Sequence, residues 1–192
     1  MKSILKSFLL GLAIVLTAPW WLTTRVLGNE RFFVSSSQLF SLVPGLTGVF
    51  LRRGFHRMTL ESFSSDCFVE FGTWFSHREV RTGRNVYIGG HCLIGMCEIG
   101  DNVLIGSNVD IPSGKRQHDF SNPERPINQQ GGTFEKISIG EDCWIGNGAL
   151  VVANIEPGCV IGAGSVVVNP VPAWSIVAGN PATVVKSRKR TD

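Results

Sequence analysis

Residues 99–111 read Ile99-Gly-Asp-Asn-Val-Leu-Ile105-Gly-Ser-Asn-Val-Asp-Ile111, two six-residue units in one register. The register runs outward in both directions. Upstream stand Thr82-Gly-Arg-Asn-Val-Tyr, Ile88-Gly-Gly-His-Cys-Leu and a five-residue step from Ile94, with weaker copies at Val69 and Phe75. Downstream it returns at Ile139-Gly-Glu-Asp-Cys-Trp and Ile145-Gly-Asn-Gly-Ala-Leu, shifts briefly at Val151, and continues through Ile155 and Ile161 to Val167. Strands alternate with period 2 and amphipathic helices with period 3.6, so a strict six fits neither. It fits a chain that turns a corner every six residues, with its aliphatic residue pointing into a shared interior. The glycine after each aliphatic residue is read as the tight turn. The fifth position also points inward and must be small: Val86, Cys92, Val103, Val109, Cys143, Ala149, Cys159, Ser165. Coils stacked this way pair their backbones above and below, which makes a parallel β-helix.

Composition agrees. The 192 residues are 43% apolar and 17% charged, too hydrophobic for a disordered chain. Five cysteines without a C-x-x-C pair exclude a disulfide scaffold and a zinc ribbon. Cys92, Cys143 and Cys159 fall on inward small positions and read as packing residues, which suits a reducing compartment. Residues 1–66 carry seven Lys/Arg and three Asp/Glu, residues 67–185 seven and eleven, and residues 186–192 four and one. A basic, apolar start before an acidic body argues against nucleic acid and for an anionic membrane surface.

Residues 1–60 read as a helical, membrane-associated segment. Ile4 to Leu22 carries one charge, Lys6, and ends in Pro19-Trp20-Trp21. A cleaved signal peptide would need small residues at its cleavage site, and only Thr17-Ala18-Pro19 is nearby. A spanning helix needs about 20 apolar residues, which this stretch just supplies. A helix lying in the interface, with Trp20 and Trp21 at headgroup level, also fits. From Gln38 the chain is again apolar, broken by Pro44-Gly45, and then basic at Arg52, Arg53, His56 and Arg57. That order favours a monotopic helix on the cytoplasmic leaflet over a single pass, since Lys2, Lys6, Arg25 and Arg52 then share one surface. On this reading, deleting 1–60 should release the protein and spare catalysis.

The insertion from Pro112 to Lys136 interrupts the repeat. Long loops in regular scaffolds are commonly functional, and His118 is its only histidine. An imidazole titrates near working pH and suits the removal of a proton from an attacking hydroxyl. His77 starts an irregular coil beside the insertion, and with Ser113 and Asp119 it is a candidate for holding substrate. His91 sits at a corner position that faces solvent. Three histidines (His77, His91, His118) also suffice for a metal site of the carbonic anhydrase type.

The units at Ile99 and Ile139, with Ile161-Gly-Ala-Gly-Ser-Val-Val and Val177-Ala-Gly-Asn-Pro-Ala, resemble the hexapeptide-repeat acetyltransferases. The likeness covers residues 67–186 and is nearest to the maltose, galactoside and nodulation acetyltransferases and their exopolysaccharide and capsule relatives. It implies an all-β body at 61–185 folded as a left-handed parallel β-helix with an extended active-site loop, residues 112–136. It further implies a homotrimer with sites between subunits, acetyl-CoA as donor and no metal. By the same resemblance His118 is the base, although Asp119 stands where the family often has proline. Trp144, Gly146, Asn147, Ala163, Gly164 and Val168 line the pantetheine arm. Lys186 meets the phosphates, helped by Arg188, Lys189 and Arg190 of the basic tail, 186–192. The implied reaction is O-acetylation of a sugar on a lipid-linked or polymeric envelope glycan. Alternatives are N-acetylation of an amino sugar and a non-catalytic β-helix scaffold at the membrane.

Overall fold

The structure is a computed structural model and describes residues 2–189. Arg190 to Asp192 and the side chain of Lys2 lie outside the described residues.

The body is a three-sided parallel β-helix of about six coils. The first coil contributes β1 (Phe68–Val69) and β2 (Trp74–Phe75). The second contributes β3 (Val80–Thr82), β4 (Tyr87–Ile88) and β5 (Leu93–Ile94), and the third β6 (Cys97–Ile99), β7 (Leu104–Ile105) and β8 (Asp110–Ile111). After the insertion come β9 (Ile137–Ile139), β10 (Trp144–Ile145) and β11 (Leu150–Val151), then β12 (Val160–Ile161) and β13 (Val166–Val167). A final hairpin, β14 (Ser175–Gly179) with β15 (Ala182–Ser187), closes the far end. One face stacks β1, β4, β7, β10, β12 and β14; the next stacks β2, β5, β8, β11 and β13; the third stacks β3, β6 and β9. Isolated bridges from Ile139 to Ile155 and on to Val171 extend the third face.

The coil strands β1 to β13 are two or three residues long; a two-residue strand points one side chain in, and a three-residue strand its first and third. Ile88, Ile94, Ile105, Ile111, Ile145 and Val151 are all 1% exposed or less. The fifth-position residues, from Val86 to Ser165, are buried with them, so the register read from the repeat holds. All five cysteines are free and buried.

The repeat glycine does something other than expected. Its φ is not positive. The left-handed residue is the fourth of the unit: Asn85, His91, Asn102, Asn108 and Asp142 have φ between 55° and 59°. Asparagine and aspartate tolerate that region. The second-position glycine is needed because coils touch there: a Cβ on Gly89 would lie 2.6 Å from the Gly106 carbonyl carbon, and one on Gly100 2.6 Å from the Glu141 nitrogen. Close approach between coils, not a strained turn, selects glycine.

Three helices close the N-terminal end: α1 (Lys2–Leu27), α2 (Glu30–Ser41) and α3 (Gly45–Thr59). α1 runs on through Pro19 to Leu27, five residues past the stretch read from sequence. An exposed first coil would leave its apolar interior bare, and solenoids cover such ends with a cap. Phe33, Phe40, Phe55, Leu60 and Phe63 do so here, joined to the same core as Val69 and Phe75.

The cap corrects the reading of the basic cluster. Arg52 is fully buried. Its Nε donates to Val69 O at 3.0 Å and its Nη1 to Val43 O at 2.8 Å and Phe40 O at 3.1 Å, stitching α2 and α3 to the first coil. Burial brings its pKa down to about 10, still charged at neutral pH. His56, expected at a charged surface, is fully buried, 4.5 Å from the Phe75 ring, with burial depressing its pKa to about 3. Arg53 is half-buried and donates to Cys67 O; only Arg57 of the four is exposed. Arg52, Arg53 and His56 belong to the cap, so these three do not line a leaflet. The sheet edge likewise claims part of the basic tail, since Lys186 lies inside β15 opposite Ile176.

Candidate active site

The insertion leaves the corner between the second and third faces, and the stack closes behind it: Leu93 and Leu150 both pair with Asp110. Its two limbs form a finger. Glu135 N donates to Ser113 O at 2.9 Å, Thr133 N to Arg116 O at 2.7 Å and Asp119 N to Gly131 O at 2.9 Å. Arg116 pairs with Glu135 at 2.6 Å across the limbs.

His118 stands exposed on this finger in an open cleft of about 450 Å³, beside Arg116, Phe120, Gln130 and Thr133. Asp119 shares the cleft, but its Oδ1 accepts the Ser121 N–H at 2.9 Å. That bond holds the carboxyl below the usual carboxylate range, and the residue's visible task is to shape the turn after His118.

Ser113 is 2% exposed. Its hydroxyl accepts the Met96 N–H at 2.9 Å and lies 3.4 Å from His77 Nδ1. Ser113 is thus a buried joint at the base of the finger, lying against His77. His77 itself is half-buried, 2.9 Å from Ser76 Oγ and packed on Phe134 at 5.3 Å. It opens on a separate cleft against α2, where Glu30, Arg31 and Ser35 form the opposite wall. Sequence reasoning missed those residues, although Asn29-Glu30 is a readable helix start: the Asn29 side chain accepts the Arg31 N–H.

The donor-side candidates lie on another edge. Trp144 points outward from the first face, 55% exposed. Gly146 and Asn147 follow at the corner between the first and second faces, where the Asn147 Oδ1 accepts the Ser107 N–H at 3.0 Å. Ala163 and Gly164 occupy the same corner one coil on, with Gly164 N donating to Asn147 O at 2.8 Å. Val168 sits instead at the finger's corner, where Lys115 Nζ approaches its carbonyl at 3.4 Å. Lys186 is exposed on β15. Arg188 is engaged elsewhere, with Asp142 at 2.9 Å and over Trp174, and Lys189 also lies over that ring. One full face of the prism thus separates His118 from Trp144, Asn147 and Gly164 within the chain.

Two other chemistries lose their geometry. Burial pushes the Cys67 and Cys97 thiols up to about 12 and Cys143 to about 11, so none is a thiolate nucleophile. His77, His91 and His118 sit at separate places, and among the described residues no three His, Cys, Asp or Glu side chains converge as a metal site.

No family model matches the chain. The galactoside O-acetyltransferase of Escherichia coli (strain K12) is 31% identical over 129 residues, covering 63% of this chain and 61% of that protein. The putative lipopolysaccharide biosynthesis O-acetyl transferase WbbJ of the same organism is 31% identical over 112 residues, 53% of this chain and 57% of that one. A maltose O-acetyltransferase from Clostridium difficile 630 superposes with TM-score 0.74 at 24% identity, covering 86% of this chain and 89% of that one. In sequence and in fold, the body of this chain is similar to the hexapeptide-repeat acetyltransferases. The structural likeness, below 25% identity, speaks for the fold alone. The chain spans 38% to 63% of the length of the curated relatives it matches.

Proposed function

We propose that the chain is an acetyl-CoA-dependent O-acetyltransferase acting on a sugar hydroxyl of a lipid-linked or polymeric envelope glycan, as a homotrimer at the cytoplasmic face of the inner membrane. The observation that carries this reading is the division of the site between two edges. His118 projects on a finger from one corner, while Trp144, Asn147 and Gly164 line the next. A finger that reaches past its own body brings the base of one copy to the donor edge of another, and three copies around an axis complete three such sites.

The chemistry asked of the residues is modest. The sugar oxygen attacks the acetyl carbonyl carbon while His118 Nε2 or Nδ1 takes the hydroxyl proton; the C–S bond then breaks and the proton passes to the departing CoA sulfur. A thioester is already activated, so no acyl-enzyme is required, and the un-ionised cysteines provide no nucleophile for one. The exposed Trp144 indole offers an apolar wall for the pantetheine arm, and Lys186 a cation for the phosphates.

Sugar as acceptor is supported by the similarity to the galactoside O-acetyltransferase of Escherichia coli. The envelope glycan is supported by the WbbJ description and by the apolar N-terminal helix. Acetyl-CoA is a cytoplasmic metabolite, and reduced buried cysteines suit that compartment. The test is acetyl transfer from labelled acetyl-CoA to hydroxyl and amino sugars by the purified full chain, with calorimetric CoA binding alongside. Transfer to amines only would make it an N-acetyltransferase; neither transfer nor CoA binding would leave a scaffold.

A further inference from the structure

The cap is layered, and the layering sets a height. On α3, Arg52 and His56 face the first coil, whereas Gly54, two residues from each, points the other way at 100° per residue. Gly54 meets α1: a Cβ there would lie 2.8 Å from the Ala13 carbonyl carbon. The order along the β-helix axis is therefore coils, then α2 and α3, then α1 outermost.

α1 is also pinned along its length. Its inner stripe buries Ala13, Thr17 and Thr24. Thr24 O accepts from Arg78 at 3.2 Å and Trp20 packs edge-on to Phe40 at 5.5 Å. Lys6 and Leu10, at the other end, share a cleft with Arg53 and Asp66. The outer face is bare and apolar, with Ile4, Phe8, Val15 and Val26 at 67–75% exposure, and Leu42 and Leu46 continue it at 66% and 70%. Exposed cations flank it at Arg25 and Arg57, and Glu30 is the lone acid of residues 1–60. An apolar ridge flanked by cations is complementary to an anionic bilayer surface. A spanning pose would drag Arg53, Asp66 and Arg78 into hydrocarbon, where charges are costly.

We propose that α1 lies flat in the leaflet surface with the β-helix upright on it, so that the acceptor hydroxyl belongs to a sugar several residues out from the lipid anchor, not to the sugar joined to the lipid. Two helix layers at 8–10 Å and the two spacings of about 4.8 Å from the first coil to the third put the base of the finger roughly 26–30 Å above α1. A single lipid-linked sugar is far too short to reach that height; an extended glycan does. This rests on the reading of the chain as a membrane-bound sugar O-acetyltransferase.

Cysteine variants for fluorescent labelling test the stance without needing activity, because the native thiols are buried. On phosphatidylglycerol–phosphatidylethanolamine vesicles, labels at Phe8→Cys, Val15→Cys and Leu22→Cys should report one shallow depth. Energy transfer to a headgroup dye should place Asn169→Cys about 20 Å farther from the surface than Ser65→Cys, four coil spacings. A depth maximum at residue 15, or equal heights at 65 and 169, overturns the stance. In parallel, lipid-linked glycans extracted from the producing cell and sorted by length should take acetyl only when long, on sugars remote from the lipid. Acetylation of the lipid-proximal sugar overturns the proposal while leaving the O-acetyltransferase reading intact. Transfer to none of them overturns that reading and the acceptor assignment together, the label distances still deciding the stance.

Discussion

Ile145 and Trp144 are neighbours in one two-residue strand, and replacing each by aspartate should give opposite results. Ile145 is fully buried, stacked between Ile105 and Ile161 in the adjacent coils. Truncation to alanine removes packed methyl groups and should cost about 2–5 kcal/mol. With a urea slope of about 2 kcal/mol/M, the midpoint falls by roughly 1–2.5 M. Ile145→Asp loses the same burial, about 1.5–3 kcal/mol, and adds a carboxyl in a column whose inward neighbours are hydrocarbon. The sum rivals the ~5–15 kcal/mol of a whole domain, so soluble, folded protein should be lost. Trp144 is 55% exposed with its indole outward. Trp144→Asp gives up cross-strand contact with Leu104 and Val160, worth about 1 kcal/mol or less, so the fold should survive while CoA binding weakens. Circular dichroism, urea titration and calorimetry with CoA read all three variants. A folded Ile145→Asp protein with a near-native midpoint would refute the inward register and the coil built on it.

His118→Ala should lower acetyl transfer by about 10²–10⁴-fold with the melting temperature unchanged, because the exposed finger adds nothing to the interior; near-normal turnover would remove the residue from the reaction. His56, with its pKa depressed from 6.5 to about 3, gives its full stability above about pH 6.5 and loses it as pH falls from there toward 3, so His56→Phe should flatten the acid limb of a stability–pH profile; an unchanged limb would place the acid sensitivity elsewhere. Maleimide at pH 7 should label no cysteine of the native chain and five after denaturation; rapid native labelling would contradict the packing. Removing α1 alone, residues 2–27, should abolish vesicle binding and leave transfer to a soluble acceptor, whereas removing 1–60 also strips Phe33, Phe40 and Phe55 from the first coil and should cause aggregation; a soluble, active 61–192 fragment would show that the cap is dispensable.

The six-residue period by itself determined the coil, its inward isoleucines and small residues, and the place where the insertion leaves. Each of those follows from contacts repeated with the nearest coil, so every unit carries its own copy of the rule. The residues of the cap have no such rule. Arg52 read as a surface cation because nothing local shows the carbonyls of Val43 and Val69, nine and seventeen residues away, that accept hydrogen bonds from its Nη1 and Nε. His56 read as charged because its neutrality depends on Phe63 and Phe75 closing around it. The repeat glycine was legible as obligatory but not for its reason, since contact between coils is set by the stack and not by φ. The tertiary structure alone decided that Ser113 is buried under His77, that His77 and His118 open on different clefts, and that a whole face divides the base from the donor edge. A three-sided closure sorts residues six apart onto different walls, and distance along the chain then ceases to measure distance in space.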